Sequence, residues 1–141
     1  METLIEDLTR GNVTEVKVVL ASVVLALAVY QLLLAAVAYG WIRLPFLSSA
    51  PASWVHRASG DTIVLLTVAV ALMCVGYYGF DEDGGTHALV GYVLLGAIVV
   101  KVVAVRLGGP LGRLLPMIGM SLLVLLAVTW FTSAGDFLGV G

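Results

Sequence analysis

His56 and His87 are the two imidazoles of the chain, and each stands at the start of a long apolar run. Each is followed four residues later by a glycine, Gly60 and Gly91 respectively. On a helix that spacing puts histidine and glycine on one face. An imidazole with bare backbone one turn away suits a planar macrocycle. Its nitrogen reaches a haem iron, and the missing side chain lets the ring lie against the backbone. The same glycines serve equally well as helix-packing contacts, which small residues often make in membranes. Two histidines alone cannot build a three- or four-ligand zinc site. Cys74 is the lone cysteine and sits in an apolar run, where a thiolate is disfavoured, so it reads as a small apolar residue.

The elements that carry these residues follow from composition. Of 141 residues, 61% are hydrophobic and 11% charged, and the mean hydropathy is +1.10. Soluble domains are about 45–50% apolar and about 25% charged, so a water-soluble fold is excluded by lack of polar surface. Seven basic residues against nine acidic, with no basic cluster, disfavour nucleic acid. Four apolar runs, about 18–39, 54–78, 87–106 and 114–134, are long enough to cross a bilayer as helices. In lipid the backbone must satisfy its own hydrogen bonds. The runs lack the alternation of a barrel, so the expected fold is all-α: one transmembrane domain over 1–141, an integral membrane four-helix up-down bundle. The first run is too long for a signal peptide and no small-residue cleavage site follows it. Residues 1–10 read as amphipathic at best. Asn12-Val13-Thr14 reads as a helix start, with Thr14 as cap and Glu15 in the first turn.

Charge sets the expected orientation. Arg43, Arg57, Lys101, Arg106 and Arg113 belong to the first and third loops, whereas Arg10 and Lys17 lie on the other side. The positive-inside rule then places both termini outside. Eight of the nine acids, including Glu2, Asp81, Glu82, Asp83 and Asp136, fall outside, and only Asp61 falls inside. Trp41 and Trp54 mark the inner interface; Tyr77, Tyr78, Phe80, Trp130 and Phe131 mark the outer one. Short connections are expected to make consecutive helices neighbours.

In this arrangement the two histidines lie near opposite membrane faces. The expected neighbour of His87 is the end of the second helix, where Met73 follows His56 by 17 residues, or about 26 Å of helix. Histidine and methionine together hold iron in electron-transfer cytochromes, although methionine ordinarily fills space. Met117 and Met120 are weaker candidates opposite His56. Arg57 and Lys101 suit haem propionates or snorkel to headgroups. Asp61 suits a hydrogen bond or an ion pair, and Gln31 a hydrogen bond to a neighbouring helix.

The segments Val55-His56-Arg57-Ala58-Ser59-Gly60, Ala71-Leu72-Met73-Cys74, Thr86-His87-Ala88-Leu89-Val90-Gly91, Lys101-Val102-Val103-Ala104-Val105-Arg106 and Thr129-Trp130-Phe131-Thr132-Ser133-Ala134 carry a resemblance. Over the last three helices the chain resembles a family of small, functionally uncharacterised four-helix prokaryotic membrane proteins. That family looks like a reduced relative of the transmembrane cytochromes b and ferric reductase-like domains. The resemblance implies haem b and electron transfer, with His56 and His87 as candidate iron ligands. One position departs: the pattern has histidine before the cysteine of the second helix, where this chain has Met73. The expected function is therefore a haem b-binding electron-transfer subunit, passing electrons between quinol and a partner redox protein, and not an enzyme alone. Its candidate site residues are His87, Met73, His56, Gly60, Gly91 and Arg57. The alternative is a haem-free accessory or anchor subunit of a larger respiratory complex. A small ion or proton transporter is weaker, because Asp61, Gln31 and Lys101 make no continuous polar file. The expected partners are the lipid bilayer, other membrane or redox subunits or further copies of the chain, and quinone. The expected location is the cytoplasmic membrane of a prokaryote, crossed several times.

Overall fold

The computed structural model describes residues 2–45, 47–79 and 85–139. Phe80 and the acidic turn 81–84 lie outside these residues, as do the side chains of Glu2, Tyr78 and Asp136. Among the described residues the chain is helical, with one isolated bridge between Leu44 and Leu47. A short helix α1 (Glu2–Thr9) precedes four long ones: α2 (Val13–Ala38), α3 (Ser49–Tyr78), α4 (Thr86–Leu107) and α5 (Leu115–Leu138). A 3₁₀ turn, Gly109–Leu114, leads into α5. The four long helices are each long and apolar enough to cross a membrane.

Helices α2 and α3 begin about five residues earlier than hydropathy alone places them. Helix α2 starts at Val13, with Asn12 and not Thr14 in the capping position. Helix α3 starts at Ser49 and takes in Pro51 in its first turn. Proline costs little there, because the first-turn N–H groups have no intrahelical acceptor. Helix α2 ends at Ala38, and the chain turns away at Gly40, whose φ of +75° favours glycine. The turn lets Trp41 N–H donate to the Ala36 carbonyl at 2.8 Å and Gly40 N–H to the Val37 carbonyl at 3.0 Å, closing the helix.

Much of the apolar surface faces outward. Leu65, Leu89 and Leu72 are 70%, 65% and 60% exposed. In water that would cost roughly 25 cal/mol per Å²; in a bilayer it is the solvated state, so lipid is the environment that fits these helices. Trp41 and Trp54 are both exposed at the end where α2 stops and α3 starts.

The neighbours around the bundle are α3–α2–α5–α4. Helix α2 packs along α3 and also against α5, and α5 packs along α4. Trp130 Nε1 donates to Ser22 Oγ at 2.9 Å, fixing α5 to α2. Helices α3 and α4 barely touch, although they are consecutive. This departs from the expectation that short connections make neighbours. Their facing sides stand apart, and α2 and α5 back the gap. Leu94 and Ile98 of α4 with Leu122 of α5 form a buried cluster, against which Val64 of α3 packs.

A candidate ligand groove between the third and fourth membrane helices

The gap between α3 and α4 forms a cavity of about 370 Å³. Its α3 wall carries Thr67, Ala71 and Cys74; its α4 wall carries His87, Gly91 and Leu94. Lys17 of α2 and Thr129 and Ser133 of α5 line it from behind. From Gly79 at its mouth to Thr67 at depth is 12 residues of α3, or about 18 Å along the axis. The lining is mainly apolar with a few polar groups, the usual makeup of a small-molecule site.

The polar groups are placed with some definition. His87 Nδ1 lies 3.1 Å from Thr132 Oγ1 on α5. The Thr132 hydroxyl is within reach of its own helix carbonyls, Val128 at 2.9 Å and Thr129 at 3.1 Å. A hydroxyl has one proton and carbonyls only accept. With that proton given to a carbonyl, Thr132 accepts from Nδ1–H, and His87 Nε2 is left with its lone pair. This is the arrangement in which a histidine serves as a ligand, its other nitrogen held by a hydrogen bond. Thr67 is 7% exposed, and its Oγ1 has no hydrogen-bond partner among the described residues. The groove therefore offers an imidazole, an ammonium and an unpaired hydroxyl.

The two glycines divide. A Cβ added at Gly91 would meet nothing within 4 Å, so bare backbone fronts open space beside His87. A Cβ at Gly60 would come to 3.4 Å from Gln31 Nε2, so Gly60 is a packing position between α3 and α2. Gln31 is itself buried and donates through Nε2 to the His56 carbonyl at 2.7 Å and to Ser59 Oγ at 2.8 Å.

The remaining candidates lie elsewhere. Met73 is half-buried and does not line the groove. At about 100° per residue it is turned off the face that carries Thr67, Ala71 and Cys74. The expected approach of Met73 to His87 is replaced by Thr132 of α5. His56 lies at the opposite end of the bundle, where its carbonyl joins the Gln31 network, and its Nδ1 is buried with no hydrogen-bond partner among the described residues. Arg57 is exposed. Met117 and Met120 are 69% and 48% exposed and point away from the bundle. No group of three metal-binding side chains occurs among the described residues. The groove thus sets one histidine, His87, beside the bare backbone of Gly91, with Lys17 on its rear wall; it does not bring histidine and methionine together.

Sequence inspection passed over Thr132, Thr67 and the groove role of Lys17. Thr129, Thr132 and Ser133 share one face at spacings of three and four. That polar face in an apolar span was the available signal. No curated protein and no solved structure matches the chain. Residues 4–140 match a family of unknown function, DUF6529, and the chain belongs to that family.

Proposed function

Starting from membership of the DUF6529 family, we propose that this chain is a membrane-embedded electron-transfer subunit that holds haem b in the groove between α3 and α4. The observation that carries this reading is the open slot beside Gly91, next to an imidazole whose Nδ1 is already engaged by Thr132. His87 Nε2 would hold the iron, Gly91 would let the macrocycle lie against the backbone, and Lys17 would pair with a propionate. Haem supplies one-electron exchange; the chain's own part is to orient the imidazole and exclude water with the apolar walls. The resemblance of the histidine segments to transmembrane cytochromes b and ferric reductase-like domains supports the same reading. Quinol as donor and a separate redox protein as acceptor complete it. The basic residues Arg43, Arg57, Lys101, Arg106 and Arg113 belong to the first and third connections or the helix ends beside them, and the positive-inside rule supports an orientation with the His87 end on the outer side of a prokaryotic cytoplasmic membrane.

The test is haemin titration of the purified protein in mild detergent, read by absorption. Saturable uptake with a Soret band that sharpens on dithionite is expected. A colourless preparation that takes up no haemin overturns the reading. One observation favours a second reading, a haem-free accessory subunit of a larger complex: Met73 is turned off the groove, leaving His87 as the one histidine or methionine of the candidate set that lines it. Co-purification with a stable partner and without pigment would establish that reading.

A further inference from the structure

A second, smaller pocket lies on the other side of the Leu94–Ile98–Leu122 cluster. Leu94 lines the groove, whereas Ile98, one turn further along α4, lines the pocket together with Leu122. The pocket measures about 60 Å³ and is bounded by all four long helices. Its polar residues are Gln31 of α2 and Lys101 of α4, with Gly60 and Gly119 on the other walls.

The hydrogen-bond inventory here is incomplete in a directed way. A glutamine amide has two N–H donors and one carbonyl oxygen. Both Gln31 donors are used, on the His56 carbonyl at 2.7 Å and on Ser59 Oγ at 2.8 Å. Ser59 gives its own proton to the Val55 carbonyl at 2.6 Å. Gln31 Oε1 is buried and has no partner among the described residues, and the residue is 8% exposed. The unmet need at Gln31 is thus a donor, and Gln31 has no proton left to give. Lys101 on the far wall donates, but the two side chains make no direct hydrogen bond. Helices α2 and α4 do not pack against each other.

We infer that this pocket is a binding site for water, which bridges the Gln31 carbonyl oxygen and the Lys101 nitrogen. The bridging species must donate to Oε1 and accept from Lys101. A bare cation suits Oε1 but cannot accept from Lys101, whose charge would repel it. An anion accepts from Lys101 and gives nothing to Oε1. A hydroxyl compound does both. A pocket of about 60 Å³ exceeds the ~10–15 Å³ that one water needs but does not admit a lipid or quinol ring. The bridge joins α2 to α4 across the Lys101 end of the bundle, where protein contact alone does not. It is independent of whether the groove holds haem.

Water-edited solid-state NMR on the protein in liposomes tests this. Polarisation from water is expected at the Gln31 side-chain amide and at Lys101 Nζ several-fold faster than at the Leu94, Ile98 and Leu122 methyls. In Gln31→Leu the transfer to Lys101 should fall several-fold, with the Trp130 indole proton, bonded to Ser22, reporting that the fold is intact. Transfer to Gln31 as slow as to Leu122 in the unmodified protein overturns the inference. So does a direct Gln31–Lys101 contact without water transfer. Should Gln31→Leu fail to fold, the unmodified protein alone decides between these outcomes.

Discussion

Replacing Gly91 by leucine separates a ligand slot from a packing glycine. A Cβ at this position meets no atom within 4 Å and Gly91 faces the groove, so the ligand-free protein is expected to take the side chain into that open space. Removing a glycine from a helix interior also gains roughly 0.8–1 kcal/mol of propensity when the replacement is a good helix former. The thermal midpoint of the ligand-free protein should therefore hold or rise. The bound state behaves oppositely. A planar group against the Gly91 backbone would occupy the space the leucine now takes, and forcing both together costs about 1–3 kcal/mol. That corresponds to roughly 5- to 150-fold weaker haemin binding. The control is Gly60→Leu. Its Cβ would stand 3.4 Å from Gln31 Nε2, and the rest of the side chain would displace the amide from His56 and Ser59. It should lower stability by roughly 1–3 kcal/mol and leave the intrinsic affinity of the folded fraction unchanged. The assay is haemin titration by difference absorption in detergent, beside thermal unfolding of the ligand-free protein. Equal haemin affinity in Gly91→Leu and the unmodified protein would refute the slot, as would Gly91→Leu unfolding while Gly60→Leu does not.

Three further outcomes are expected. Thr132→Val removes the hydroxyl that holds His87 Nδ1 at 3.1 Å, and haemin affinity should fall about 10- to 100-fold, as for other lost supports of metal-bound histidine; an unchanged titration argues against Nε2 as the ligand. Trp130→Phe keeps the ring but loses the bond to Ser22 Oγ, and should cost about 0.6–1.7 kcal/mol in a detergent unfolding titration; no loss would mean that this bond does not hold α5 to α2. Met73→Leu should leave the absorption spectrum of the haem-loaded protein unmoved, because Met73 is off the groove face; a shifted or lost Soret band would put sulfur on the iron.

Hydropathy made the four membrane helices legible, since about 20 apolar residues in a row have few other uses. Their starts were less so. Thr14 reads as the cap of the first long helix, yet α2 already starts at Val13 with Asn12 in the capping position, and Glu15 lies in its first turn as expected. The order of packing was not legible. Helices apolar on every side carry no stripe that points to a neighbour, so the separation of α3 from α4 had no signature in the sequence. His87 was visible because a polar side chain in a span is costly. Its partner depended on which helix stands beside α4, and Thr132 therefore stayed hidden while Met73 was favoured. Gly60 and Gly91 have the same spacing from a histidine and could be told apart only by what lies above each. Gln31 was legible as a bond to a neighbouring helix, and it makes two to α3.

The most direct measurement is the visible spectrum of haemin-loaded protein for His87→Ala beside His56→Ala, both purified in mild detergent. The expected result is loss of the Soret band in His87→Ala and its retention in His56→Ala, whose imidazole lies at the other end of the bundle. Pigment retained in His87→Ala, or absent from the unmodified protein after haemin loading, would contradict haem binding in the groove.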